Sequence, residues 1–162
     1  MCLSRLIKAT ITAAALVATQ CAISNQALAS NESSIERGRY LIDIGSCNDC
    51  HTAGYIAMAG KTEESQRLRG NPVGFRGDWG TTYGSNLRHY LGQLSEDQWV
   101  QIARKIVTRP PMPWFVLHDM AEQDLRSIYR YVTYLGPAGN DVPDFLLPNQ
   151  EPKGPYIDFP RR

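Results

Sequence analysis

Ser46-Cys47-Asn48-Asp49-Cys50-His51 is the stretch on which the reading of this chain turns. It sets two thiols one helical turn apart and puts an imidazole directly after the second. Cysteine is scarce elsewhere: the 162 residues include four, and the other two are Cys2 and Cys21. Two sulfurs and a ring nitrogen packed this closely, in a chain with so few other thiols, call for a chemical reason.

The N-terminal residues have to be set aside before that reason is sought. Met1 to Lys8 carries Arg5 and Lys8 and no acid, Ala9 to Ile23 is apolar and small, and Ala27-Leu28-Ala29 fits a signal-peptidase site. This layout predicts a secretory signal peptide over 1–29, cleaved after Ala29, and hence a periplasmic protein. A retained anchor fits less well, because the apolar run is shorter than the roughly 20 residues of a spanning helix and threonines interrupt it. Cys21 does not mark a lipoprotein site, since Gln20 stands where a small residue is expected. What remains divides into a domain at 30–136 and a proline-rich tail at 137–162 expected to pack on it.

Cleavage leaves 133 residues, enough for one domain with a true core. They carry 15 basic and 16 acidic side chains, a balance that gives no hint of a nucleic-acid partner or a charged membrane face. Cleavage also removes Cys2 and Cys21. Exported proteins use cysteines as disulfides, but the only bridge left here would close a trivial loop within SCNDCH, so the pair is not a staple.

No internal repeat is found, and no alternating run is long enough to predict a strand. Three stretches have helical spacing. In SSIERGRYLIDIGSC, Ser33 and Glu36 form a capping box, and Gly38, Leu41, Ile42 and Gly45 share a face. Two glycines on a packing face predict close approach by another element. In LSEDQWVQIARKIV, Ser95 and Gln98 form a second capping box, Leu94 and Trp99 a hydrophobic staple, and Trp99, Ile102, Ala103 and Ile106 a buried stripe ending at Arg109-Pro110-Pro111. In AEQDLRSIYRYVTYLG, Leu125, Ile128, Tyr129, Val132 and Leu135 line one side, Gly136-Pro137 stops the helix, and Asp119 or Ala121 caps it. The stretch from Thr52 to Gln93 reads as a long glycine-rich loop, and the six prolines after Gly136 read as an extended tail. The expectation is an all-α fold: a few helices and long loops around something that fills the middle.

Cys-x-x-Cys-His is the attachment pattern of c-type haem. Two thiols three residues apart reach the vinyl groups along one porphyrin edge, and His51 then lies under the iron, with Asn48 and Asp49 as spacers. A dithiol redox centre belongs beside a βαβ pattern, and zinc wants a second close pair of Cys or His, which the lone His89 and His118 do not provide. Haem c therefore fits best, with Cys47 and Cys50 as anchors and His51 as an iron ligand.

For the other axial position, Met112 in RPPMPW stands out. Flanking prolines leave its loop little freedom to lose when the side chain binds, and a His/Met pair is an electron-carrier arrangement. Met58 lies only seven residues past His51, and Met120 sits where an apolar residue packs against Leu125 at a helix start. Both read as packing residues. His89 and His118 are the rival sixth ligands.

GRYLIDIGSCNDCH, WGTTYGSNL, PPMPW and DLRSIYRYVTYL together resemble the class I c-type cytochromes, from about Ile35 to Leu135. The resemblance is closest to small exported monohaem domains and to the cytochrome units of bacterial membrane-bound dehydrogenases. It implies a cytochrome c-like fold in which the terminal helices cross, with Gly38 and Tyr40 meeting Tyr131 or Leu135. It also implies Cys47 and Cys50 as covalent attachment points, His51 as proximal ligand and Met112 as distal ligand. Trp79, Tyr83, Arg76 and Arg88 fall where the family draws haem-propionate donors, though each equally fits a core aromatic or a solvated arginine. The loop after His51 is longer than in the smallest members, and the proline-rich tail falls outside the shared core.

The expected function is a periplasmic electron carrier with one covalent haem c and no catalytic residues of its own. Its partners would be a redox donor and acceptor, such as a periplasmic or membrane-bound dehydrogenase and a terminal oxidase or reductase. Two other readings stand beside it: an open-sited haem protein that binds gases or reduces peroxide, and a fixed cytochrome subunit of a dehydrogenase complex.

Overall fold

The structure is a computed structural model in which residues 30–160 are described. The expected signal peptide and its cleavage site after Ala29 lie outside these residues. Residues 30–34 belong to a separate N-terminal unit and are helical. All that follows concerns the unit that begins at Ile35.

Residues 35–44 (α1) are helical up to a sharp bend in which Ser46 takes a left-handed conformation, φ 56°. A short helix, Cys47–His51 (α2), follows directly. Next come a 3₁₀ turn at Glu64–Gln66 and a hairpin of Arg69–Gly77 (β1) and Gly80–Asn86 (β2). The helices Leu87–Gly92 (α3), Glu96–Ala103 (α4), Phe115–Asp119 (α5) and Glu122–Leu135 (α6) complete the helical part. Near the end of the chain, Tyr156–Asp158 (β3) pairs parallel to β1, giving a three-stranded sheet in the order β2-β1-β3.

The expected all-α fold is therefore wrong: the architecture is mixed, helices with a small mixed sheet. The sheet escapes a reading by alternation for physical reasons. The β1–β2 register slips between Asn71 and Gly74, so the period of two is broken midway. Pro72 sits in the same irregular stretch, and glycines occupy positions where apolar side chains would have announced a strand. The third strand comes from the tail, far away in sequence.

The helical expectations fare better. Ser95 accepts from the Gln98 amide while the Gln98 side chain accepts from the Ser95 amide, so α4 begins on a complete capping box. It ends at Ala103, earlier than expected, and residues 104–114 form a loop. The α6 helix starts after Ala121 and stops at Gly136, φ 68°. The short helices α3 and α5 were not anticipated.

Leu41, Ile42, Trp99, Ala103, Leu125, Ile128, Tyr131 and Val132 form one apolar core, each large side chain adding about 1.5–3 kcal/mol by leaving water. Of the two glycines expected on this face, Gly45 lies in the turn after α1 and meets no element distant in sequence, while Gly38 makes the close approach. A Cβ on Gly38 would lie 2.0 Å from the Ser127 carbonyl oxygen and 2.7 Å from Tyr131 Cβ, so α1 crosses α6 backbone to backbone there. Tyr40 does not take part; it is half exposed, with Arg37 over its ring. Arg37 also grips Asp124 through two bonds of 2.9 and 3.2 Å beside the crossing. Trp99 donates its indole N–H to Leu125 O at 2.8 Å and so joins α4 to α6.

Candidate functional site

The α2 helix lies on the hairpin without side chains between them. A Cβ on Gly84 would fall 1.8 Å from the Cys50 carbonyl oxygen and 3.3 Å from the His51 nitrogen. Only glycine permits that approach, and it brings the helix close enough for His51 to reach the strand. His51 Nδ1 lies 2.7 Å from the Ser85 carbonyl oxygen. A carbonyl can only accept, so the proton is on Nδ1 and Nε2 keeps its lone pair. Such a bond fixes both the tautomer and the ring plane of a ligating histidine. Burial lowers the His51 pKa, with the Ser85 carbonyl opposing, and the net direction is downward, so the ring is neutral at pH 7.

Asn48, expected to be a spacer, is fully buried and structural. Its side-chain oxygen accepts from Thr52 Oγ1 at 2.7 Å, and its Nδ2 donates to Asp43 at 3.0 Å. Thr52 Oγ1 in turn accepts from the Leu68 amide at 2.8 Å, and Thr52 pairs with Gly70 in an isolated parallel bridge. Asn48, Thr52, Gly84 and Ser85 therefore position the motif, and none was singled out from sequence. The available signals were weak: a hydroxyl directly after His51, and the run Gly84-Ser85-Asn86 inside WGTTYGSNL.

Cys47 and Cys50 are both free thiols, partly exposed at their surfaces. Burial pushes the Cys47 thiol up to about 11, and burial raises Cys50 as well. Both are protonated at pH 7. Redox-active Cys-x-x-Cys pairs are tuned the opposite way, toward thiolate.

Met112 lies in the 104–114 loop, half buried, and packs against the same apolar core that Cys47 touches. Its loop is held from the α5 side by His118, whose Nε2 lies 2.9 Å from Ile106 O and whose ring meets Trp114 at 5.0 Å. His89 is engaged with Asp141 at 3.2 Å. Both rival histidines thus have protein partners. Met120 is half buried against the core and Met58 is exposed.

The suggested propionate donors divide. Arg76 is buried and pairs bidentately with Glu151 of the tail. Arg88 donates to Leu135 O and Gly136 O, fastening the end of α6, and to Ser65 O at 2.8 Å. Tyr83 is half buried in β2. Trp79, at the hairpin tip, packs on Phe159 at 5.5 Å, and its buried Nε1 has no partner.

A cavity of about 490 Å³ opens between α3 and α4 and is lined by Tyr90, Leu94, Gln98, Ile102 and Ile106 among others. None of Cys47, Cys50, His51 or Met112 lines it. No known protein family, curated protein or solved structure matches this chain.

Proposed function

We propose that the chain is an exported electron carrier holding one haem c, with Cys47 and Cys50 as covalent anchors and His51 and Met112 as iron ligands. The observation that carries this reading is the His51–Ser85 bond, which leaves a neutral imidazole with Nε2 unprotonated immediately after two free thiols. When bound, the haem would supply reversible one-electron chemistry, at a potential that ligation by the Met112 thioether would raise. The chain's own part is to orient and shield. Gly84 admits α2 against β2, Ser85 fixes the ring of His51, and Asn48 with Thr52 locks the helix that presents the sulfurs. The thiols are protonated and unbridged, the state in which each can add S–H across a vinyl group. With the haem held by these four residues, the protein would pass electrons between a redox donor and an acceptor in the periplasm, with no bond of a substrate made or broken. No helix among the described residues is long and apolar enough to cross a membrane.

The test has two parts. Intact mass after export should show one added macrocycle that survives acid–organic extraction; an unmodified mass sinks the proposal. Carbon monoxide should bind the ferrous protein slowly or not at all, and Met112→Ala should abolish the thioether-to-iron charge-transfer band. Rapid binding with an indifferent Met112→Ala would favour an open distal site instead.

A further inference from the structure

The tail after Gly136 wraps the hairpin along its whole length. Asn86 Nδ2 donates to Ala138 O at 2.9 Å and to Asn140 O at 3.2 Å. Thr81 and Leu146 exchange two backbone bonds of 2.8 and 3.0 Å. Further on, β3 pairs with β1, and the Phe159 amide donates to Arg76 O at 2.7 Å. One tail residue also touches something else. The Phe145 ring lies against Gly80 at the start of β2, where a Cβ would come within 2.9 Å of it. The Arg109 guanidinium sits 3.8 Å from the centroid of the same ring, a close cation–π contact. Arg109 opens the Arg109-Pro110-Pro111-Met112 run.

We infer that Phe145 is a positioning residue for Met112, tying the loop that carries it to the hairpin that holds His51. Besides this contact the loop is fastened to α4 by the Arg104, Lys105 and Ile106 amides, and to α5 by His118 on Ile106 O and Val116 N–H to Pro113 O. Ile106 and Met112 pack it on the core, and Trp114 N–H closes a turn on Met112 O. Phe145 adds the tie to the hairpin. The tail thereby gives the two ligand-bearing segments a shared support. Its functional consequence rests on the reading of Met112 as an iron ligand; the mechanical claim does not.

The experiment uses the exported, haem-loaded full chain and compares wild type with Phe145→Ala, Phe145→Tyr, Arg109→Gln and Met112→Ala. Hydrogen exchange at the Trp114 and Val116 amides should accelerate about two- to fivefold in Phe145→Ala and Arg109→Gln, the factor that loss of one exposed cation–π contact implies. Exchange in α6 should not change, and Phe145→Tyr should behave as wild type. Added imidazole, which competes with the thioether, should gain the same two- to fivefold in apparent affinity in the two weakened variants. Wild-type exchange in both overturns the inference. If Phe145→Ala loses the fold, Arg109→Gln decides alone, because it leaves the ring on Gly80. If Met112→Ala leaves imidazole affinity and the charge-transfer band unchanged, the ligand reading fails while exchange still judges the tail contact. If Met112→Ala abolishes the band and the Phe145 and Arg109 variants change nothing, the positioning role alone fails.

Discussion

The two segments that carry the candidate iron ligands are built in opposite ways. Around His51, α2 rests on β2 with backbone against backbone, and fully buried Asn48 and Thr52 bond the helix to α1 and to the start of β1. Around Met112, the chain runs through eleven residues with no helix or strand. It is tied to α4 by the amides of residues 104–106, packed on the core through Ile106 and Met112, and otherwise held by the side chains of His118, Trp114 and Phe145. The first arrangement has no slack, so an added atom or a lost bond must be felt at once. The second has more slack, since no backbone-to-backbone contact like that at Gly84 holds it, and its stiffness comes from its prolines together with the packing of Ile106 and Met112 on the core. If the proposed function holds, a rigid imidazole side and a more adjustable thioether side would let the protein keep the haem while varying how firmly Met112 is held.

The sharpest way to break this contrast is to put a methyl group into the α2–β2 contact. Gly84→Ala drives Cβ into the Cys50 carbonyl, and one of the two backbones must move. We expect a loss of about 3 kcal/mol in urea unfolding, the upper part of the range for overpacked cores. Gly92→Ala is the control: its Cβ meets no atom within 4 Å, so it should be neutral or gain up to about 1 kcal/mol. Equal effects from the two would mean that the close approach at Gly84 does not constrain the site.

A smaller effect comes from Thr52→Val, which keeps the shape and removes the hydroxyl. The Leu68 amide and the Asn48 side-chain oxygen then lose a buried partner, at a cost of about 1–3 kcal/mol. Hydrogen exchange should quicken at Leu68 and through α2, while the 104–114 loop keeps its wild-type rates. Faster exchange in the loop instead would show that the two segments share support beyond the tail.

The same contrast accounts for what could be read from the sequence. The placement of two sulfurs and an imidazole within one helical turn was legible because it is local, and Cys47–His51 does form a short helix. The α4 capping box was legible for the same reason, and so was the close approach at Gly38, since a glycine on an apolar face needs a neighbour to explain it. The hairpin was not. Its identity lies in pairings between residues that share no pattern, interrupted by a bulge at Asn71–Gly74, and its glycines serve contacts with α2 and the tail. β3 was further out of reach, because nothing around Tyr156 announces a partner some eighty residues earlier in β1. Asn48 was misread as a spacer because its role depends on Thr52 and Asp43 converging in space.

The gentlest test reaches the loop from its other end, through the helix that leads into it. Glu96, in the first turn of α4, lies between Arg130 and Arg126 of α6, at 2.9 and 3.1 Å. Burial alone would raise its carboxyl, but the two guanidiniums outweigh burial and the net shift is downward from 4.5. A carboxylate with a lowered folded pKa stabilises the protein fully above its unfolded value, and that contribution drains away as pH falls through the folded one. Glu96→Gln should therefore cost about 1 kcal/mol at pH 7, modest because the pair is partly exposed. The gap between wild type and variant should stay constant down to about pH 4.5 and close below it. At neutral pH the variant should exchange faster in α4 and in the loop that follows, but not in α2, whose support comes from β2, Thr52 and Asn48. A gap that widens on acidification would reverse the sign assigned to Glu96. Faster exchange in α2 would show that the rigid side of the site leans on the α4–α6 seam as well.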